Sequence, residues 1–124
     1  MAGGVGTVVT EVVAVAPEGR ISTSDLGLWE DAQIAGMRRL ADLAAATDTR
    51  FGVQLAHAGR KSTSQERGFA PSPIAYGDFA PPAELTQPEL HGIIDAYRAA
   101  ARRAVEAGVD LIEIHAGHGY LIHT

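Results

Sequence analysis

The sequence lacks cysteine, and its aromatic content is low, at 6% of 124 residues with one tryptophan. The missing cysteines exclude disulfides, a thiolate nucleophile and cysteine-bound metal. Ten basic against fifteen acidic residues give a net charge of −5, which with so few aromatics argues against nucleic-acid binding. No apolar run reaches the roughly 18 residues of a bilayer span, and the first residues, Met-Ala-Gly-Gly-Val-Gly, lack the basic segment and long apolar run of a signal peptide. We therefore expect a cytoplasmic protein that binds neither nucleic acid nor membrane.

What the sequence does contain is an alternation of apolar strands and amphipathic helices. Hydrophobic residues make up 46% of the chain, which is ordinary for one globular domain. The patterns predict strands at 5–15, 51–55 and 111–114, and helices from about Trp29 to Ala46 and from a capping box at Thr86–Glu89 to Ala107. Ser22, Ser24 and Asp25 are candidate caps before the first helix.

Connections of this length predict parallel strands. The residues themselves leave two α/β folds open, a doubly wound sheet and a (β/α) barrel. Between the second strand and the second helix lies a long excursion, residues 62–85, rich in proline and containing Phe69, Tyr76 and Phe79. A loop of this length in a compact domain is usually functional or disordered. The aromatics favour an ordered excursion at the carboxyl edge of the sheet.

Polar side chains gather where two of the strands end. Gln54-Leu-Ala-His57 closes one strand, and Glu113-Ile-His115 closes the next, followed by His118 and Tyr120. The carboxyl ends of parallel strands are where α/β proteins bind ligands. Any one of these rings alone would often be a hydrogen-bonded or packed structural residue.

Two interpretations of this cluster remain open from the residues alone, a binding site for a heterocycle and a metal site. Gln54 offers a donor and an acceptor that suit the edge of an imide-like heterocycle. Alternatively, His57, His115 and His118 with Glu113 would form a zinc or iron site, which predicts a metal-dependent hydrolase. Against the metal site, Glu113 alternates with Ile112 and Ile114, and we expect it to face away from His115.

Several phrases then occur in a recognisable order along the whole chain. They are Pro17-Glu-Gly-Arg20, Asp25-Leu-Gly-Leu-Trp29, Gln54-Leu-Ala-His-Ala-Gly-Arg-Lys61, Ala70-Pro-Ser-Pro73 and Glu113-Ile-His-Ala-Gly-His-Gly-Tyr-Leu-Ile122. With them the chain strongly resembles the old yellow enzyme family of NAD(P)H:flavin oxidoreductases, specifically its bacterial YqjM-like ene-reductase branch.

The resemblance implies a (β/α)₈ barrel that holds FMN at its carboxyl mouth, takes NADPH or NADH as reductant and reduces activated alkenes such as enones. It implies that Gln54 binds the flavin's pyrimidine edge. His115 and His118 would bind the substrate's activating oxygen, and Tyr120 would donate the proton. The resemblance implies no metal ligand among these residues.

The resemblance also implies that residues 1–124 are one fragment of a larger barrel domain. A (β/α)₈ barrel takes about 250 residues, whereas the patterns here predict three strands. We expect the phosphate-binding residues to lie outside this chain. The fragment alone would expose strand edges, so we expect it to be inactive by itself and to need the remainder of the barrel or a homo-oligomer.

Overall fold

The computed structural model describes residues 3–124. Its strands and helices are β1 (Thr7–Ala14), β2 (Leu26–Gly27), α1 (Ile34–Ala45), β3 (Arg50–Ala56), β4 (Phe69–Ala70), β5 (Ala83–Glu84), α2 (Gln87–Glu106) and β6 (Leu111–Ile114). Within this part of the chain, none of the helices combines the length and apolarity that crossing a bilayer would require.

The main sheet has four strands in the order β2-β1-β3-β6, and every neighbouring pair is parallel. The three long strands and their parallel direction were predicted, and both are confirmed. The two-residue strand β2, which extends the sheet beside β1, was not predicted. Two-residue strands carry almost no periodicity, so the sequence pattern cannot show them.

Both helices pack against one face of this sheet. The apolar core joins α1 and α2 to residues of β1 and β3, namely Val13, Ile34, Met37, Ala41, Ala44, Phe51, Val53, Leu55, Ala100 and Ala104. A doubly wound sheet carries helices on both faces. Helices on a single face are instead the arrangement of a barrel wall, where the other face points inward. The side chain of Gln54, between Val53 and Leu55, lies on that other face.

A β-bulge midway along β1 shifts the pairing of this strand with β3 by one residue. Val9 pairs with Gly52 and Val12 pairs with Gln54, so two residues of β1 stand opposite one residue of β3. One of the two, Thr10, accepts a hydrogen bond through its hydroxyl oxygen from the backbone N–H of Gln54 at 3.2 Å. This side-chain bond takes the place of a ladder bond that the bulge removes.

The start of α1 differs from the prediction. The segment from Trp29 is not yet α-helical: Asp31–Gln33 forms a 3₁₀ turn, and the α-helix begins at Ile34. The expected capping by Ser22, Ser24 or Asp25 is wrong, because the Asp25 carboxylate accepts from the backbone N–H groups of Ile21 and Ser22 and so closes a turn. Serine and aspartate are common both in tight turns and at helix caps, so residue type alone could not distinguish a turn from a cap here.

The second helix was predicted closely. Thr86 caps α2, since its hydroxyl accepts from the N–H of Glu89 while the Glu89 carboxylate accepts from the N–H of Thr86. The Glu89 carboxylate also accepts from the Thr86 hydroxyl, and this bond together with the one from the Thr86 N–H holds the pKa of Glu89 below its ordinary value. The helix is followed by Gly108 with φ of 84°, a conformation that favours glycine and ends helices.

The excursion at 62–85 contains a small parallel sheet, β4 with β5, that the patterns did not predict. Its first residues are tied to the loop after β1. The buried Ser62 hydroxyl donates to the Arg20 carbonyl at 2.6 Å, and the Thr63 N–H donates to the Ile21 carbonyl at 2.7 Å. The excursion is therefore anchored at the carboxyl end of the sheet, where the polar side chains lie.

Candidate functional site

The site begins with two side chains that stand next to each other on neighbouring strands. Gln54 on β3 and Glu113 on β6 are register partners. The Gln54 amide nitrogen donates to the Glu113 carboxylate at 3.1 Å. Both side chains lie on the sheet face opposite the helices, because Val53 and Leu55, which flank Gln54, belong to the core.

His115 leaves β6 at the same end of the sheet as Gln54. Its backbone N–H donates to the Leu55 carbonyl at 2.9 Å, which continues the β3–β6 ladder by one step. His115 is two residues after Glu113, and side chains two apart on a strand share a face. The expectation that Glu113 faces away from His115 is therefore wrong. The flanking Ile112 and Ile114 are the residues that take the other face.

The turn after β6 folds the second histidine back toward the first. His118 and Gly119 have φ of 56° and 74°, two successive left-handed residues. For histidine this conformation is uncommon, and such strain concentrates at functional sites. As a result His118 Nδ1 lies 3.3 Å from His115 Nε2, and the Tyr120 ring centroid lies 5.2 Å from that of His115.

The two facing nitrogens can both bind a third atom that lies to one side of them. An oxygen at the ordinary hydrogen-bond distance of about 2.9 Å from each would form a nearly equilateral triangle with them. Both imidazoles can donate to it if each carries its proton on the facing nitrogen. The arrangement is thus suited to an oxygen that gains negative charge during a reaction.

Lys61 and Tyr76 support this turn from the excursion side. The Lys61 ammonium donates to the His118 carbonyl at 2.9 Å, and it lies 4.6 Å from the Tyr120 ring centroid and 4.5 Å from that of Tyr76. Cations at these distances are attracted to aromatic faces. The sequence patterns did not assign either residue to the site. Lys61 is the only lysine in the chain, which was a usable signal.

His57 occupies a different environment although its sequence phrase resembles that of His115. It is 1% exposed and lies beside α2, lining a cavity with residues that include Ile93 and Ala96. Its Nδ1 accepts from the Gly59 N–H at 3.1 Å. Burial lowers its pKa to about 4, so the ring is neutral at pH 7.

The metal-hydrolase alternative gains no support from this geometry. Across residues 3–124, no group of three or more His, Asp or Glu side chains is arranged to hold a metal ion. His57 belongs to the helix side of the sheet, whereas His115 and Glu113 project from the other face. The structure brings Gln54, His115, His118 and Tyr120 to one end of the sheet and leaves His57 out.

Residues 1–124 match the family model described as the NADH:flavin oxidoreductase / NADH oxidase family, so the chain belongs to that family of flavin oxidoreductases. Among curated relatives, it is 49% identical over 123 residues to the NADPH dehydrogenase of Listeria welshimeri and 45% identical over 122 residues to that of Bacillus subtilis strain 168. Each alignment covers 98% of this chain but 36% of the relative.

Solved structures give the same result for the fold. A morphinone reductase structure matches with a TM-score of 0.84 at 29% identity, covering 93% of this chain and 36% of that one. A second, morphinone reductase in complex with tetrahydroNAD, matches at 30% identity with the same TM-score. The predicted barrel fold is thereby confirmed in its partial form, since the chain corresponds to just over a third of a (β/α)₈ barrel enzyme.

Proposed function

We propose that this chain supplies the substrate side of an FMN-dependent oxidoreductase that uses NADPH or NADH to reduce activated alkenes. One observation carries the proposal: His115 Nε2 and His118 Nδ1 converge at 3.3 Å, with the Tyr120 ring beside them, at the end of the sheet that carries Gln54. Family membership supplies the flavin. The activity belongs to the whole protein, because the chain spans 36% of its curated relatives.

The residues present fit the pyrimidine edge of a flavin. Gln54 keeps a carbonyl oxygen and one N–H free after its bond to Glu113, and an imide edge offers the matching N–H and carbonyl. The amide lies on the face of the sheet opposite the helices, which in a barrel is the inner face. FMN bound there would supply hydride chemistry.

The protein's own contribution is polarisation and proton delivery. His115 and His118 donate hydrogen bonds to the carbonyl or nitro oxygen that activates the alkene, and these bonds strengthen as that oxygen becomes negative. The Tyr120 hydroxyl gives a proton to the α-carbon of the alkene. Lys61 holds the turn that carries His118 and Tyr120 through its bond to the His118 carbonyl.

We further infer that additional barrel strands, or a second copy of the chain, cover the free edge of β6. Leu111 and Ile114 on this strand are 45% and 58% exposed. Exposed apolar strand edges pair readily with other strands. The proposal includes the expected cytoplasmic location, a small-molecule alkene as substrate and no nucleic-acid or membrane partner.

A graft into a relative tests the proposal in a full-length context. Residues 1–124 replace the segment that they match in the Bacillus subtilis NADPH dehydrogenase, and this hybrid is called the grafted enzyme. We expect it to purify with flavin absorbance and to oxidise NADPH in the presence of 2-cyclohexenone. Metal analysis of the same sample tests the hydrolase alternative.

The matched control is the grafted enzyme with His115→Leu and His118→Leu together. It should keep its flavin and lose enone reduction, because only the oxygen-binding donors are removed. A folded grafted enzyme without flavin, or with stoichiometric zinc and no enone reduction, would overturn the proposed function.

A further inference from the structure

The orientation of the Gln54 amide is set by a neighbour that has no assigned role. Glutamine can present either its oxygen or its nitrogen to a partner, and the partner decides which. Here the partner is the Glu113 carboxylate, which accepts hydrogen bonds and donates none. The amide nitrogen therefore faces Glu113, at 3.1 Å, and the amide oxygen is turned away from it.

This contact is built into the sheet. Gln54 and Glu113 are paired by the parallel register of β3 and β6, which runs from Gly52 opposite Leu111 to Leu55 opposite Ile114. Neighbouring strands lie about 4.8 Å apart, so paired side chains on one face are always within reach of each other. The Gln54 backbone is fixed as well, through the bond from its N–H to Thr10.

We propose that Glu113 is a positioning residue for the flavin site. By holding one N–H of the Gln54 amide, it presents the amide oxygen to the imide N–H of the flavin and leaves the second N–H for the adjoining flavin carbonyl. The inference rests on the proposed function and adds to it a residue that does not touch the flavin. Without a carboxylate at position 113, the amide would be free to turn over and offer a donor to another donor.

The test measures FMN binding in the grafted enzyme after removal and reconstitution of the flavin. Glu113→Gln keeps the size of the side chain but can donate as well as accept, so the Gln54 amide is no longer held in one orientation. We expect roughly five- to tenfold weaker FMN binding, the size of one hydrogen bond. Glu106→Gln, the same charge change at the exposed end of α2, should leave binding unchanged.

Two further measurements separate positioning from a general structural effect. In a Gln54→Ala background, Glu113→Gln should cause no additional loss, since the amide on which it acts is gone. FMN methylated on its imide nitrogen lacks the N–H that Gln54 accepts from, so parent and Glu113→Gln proteins should bind this analogue equally.

The outcomes are distinct. Unchanged FMN affinity in Glu113→Gln overturns the inference and leaves the proposed function standing. An equal loss for the methylated analogue, or an equal loss in the Gln54→Ala background, also overturns it, because a structural defect would act on every ligand. Failure of the unsubstituted grafted enzyme to bind FMN overturns the proposed function, and the inference with it.

Discussion

The two strand ends that carry histidine look alike in sequence but differ in the structure. Gln54-Leu-Ala-His57 places its histidine three residues after the glutamine, whereas Glu113-Ile-His115 places its histidine two residues after the glutamate. Since Gln54 and Glu113 are register partners, the extra residue moves His57 to the opposite side. One histidine is buried beside α2, and the other projects into the candidate site.

An offset of one residue here separates a buried histidine from one that faces the candidate site. His57 is 1% exposed, is neutral and accepts from a backbone N–H. Gly19 packs against its ring so closely that a Cβ there would lie 2.7 Å from His57 Cδ2. His115 instead faces His118 and Tyr120. Substitutions in the two regions should therefore affect different measured properties.

The largest expected effect follows removal of the hydroxyl of Tyr120, the proposed proton donor. In the grafted enzyme, Tyr120→Phe should slow the enone half-reaction roughly 10²- to 10⁴-fold, because it removes the proton that reaches the alkene. The NADPH half-reaction needs no such proton and should be spared. Stopped-flow measurement of each half-reaction checks this, and equal damage to both would remove Tyr120 from the role.

Removal of one of the two histidines proposed to bind the substrate oxygen should have the next largest effect. His115→Leu should lower kcat/KM for an enone by roughly 10²- to 10³-fold, the usual cost of losing one such donor, with little change in thermal stability. His57→Leu is the matched variant and should do the reverse, lowering Tm while sparing kcat/KM in the protein that remains folded. If both substitutions changed the same property, the comparison between the two strand ends would fail.

His57 should also make stability depend on pH. Its pKa in the folded chain is about 4, against an ordinary value of 6.5. Above pH 6.5 the ring is neutral in both folded and unfolded chains, so the full stability is present. As pH falls from 6.5 to 4, only the unfolded chain takes up the proton, and stability declines by at most about 3 kcal/mol.

Urea unfolding of the grafted enzyme and its His57→Leu variant across this pH range isolates the contribution. The difference in unfolding free energy between parent and variant should shrink as pH falls from 6.5 to 4. A constant difference would mean that His57 takes up its proton equally easily in the folded chain.

The smallest expected effect concerns the support of the site turn. Lys61→Met removes the ammonium that bonds the His118 carbonyl and faces the rings of Tyr76 and Tyr120. We expect a roughly three- to tenfold lower kcat/KM for an enone, since exposed cation–aromatic contacts are individually weak. Arg67→Met, a charge removed from the exposed part of the same excursion, serves as the control and should have no effect.

Much of this architecture followed from local patterns. The long strands, their parallel direction and the bounds of α2 depend on periodicity and a capping box, which are local signals. We correctly expected Gln54 and His115 to lie at the same end of the sheet, because parallel strands share their carboxyl ends. The resemblance contributed the barrel, which is confirmed in its partial form, and the roles of the site residues, which stay predictions.

What the patterns missed depends on contacts between distant parts of the chain. The Gln54–Glu113 bond requires the register of β3 against β6, and local sequence carries no record of register. The position of Lys61 depends on how the excursion returns over the turn. The opposite sides taken by His57 and His115 were readable from the one-residue offset, once Gln54 and Glu113 were known to align.

The bulge in β1 has a consequence for how this segment tolerates changes in length. Val8 and Val13 both stand opposite core-facing residues of β3, Phe51 and Leu55, although five positions separate them. Residues an odd number of positions apart normally face opposite sides of a sheet. Val8 and Val13 can share a side because Thr10 and Glu11 together stand opposite a single residue of β3. Loss of one residue there would turn Val13 and Val15 toward the sheet face that carries Gln54 and turn Ala14 toward the helices. A deletion of one residue in this strand would therefore require compensating substitutions in the residues that follow it.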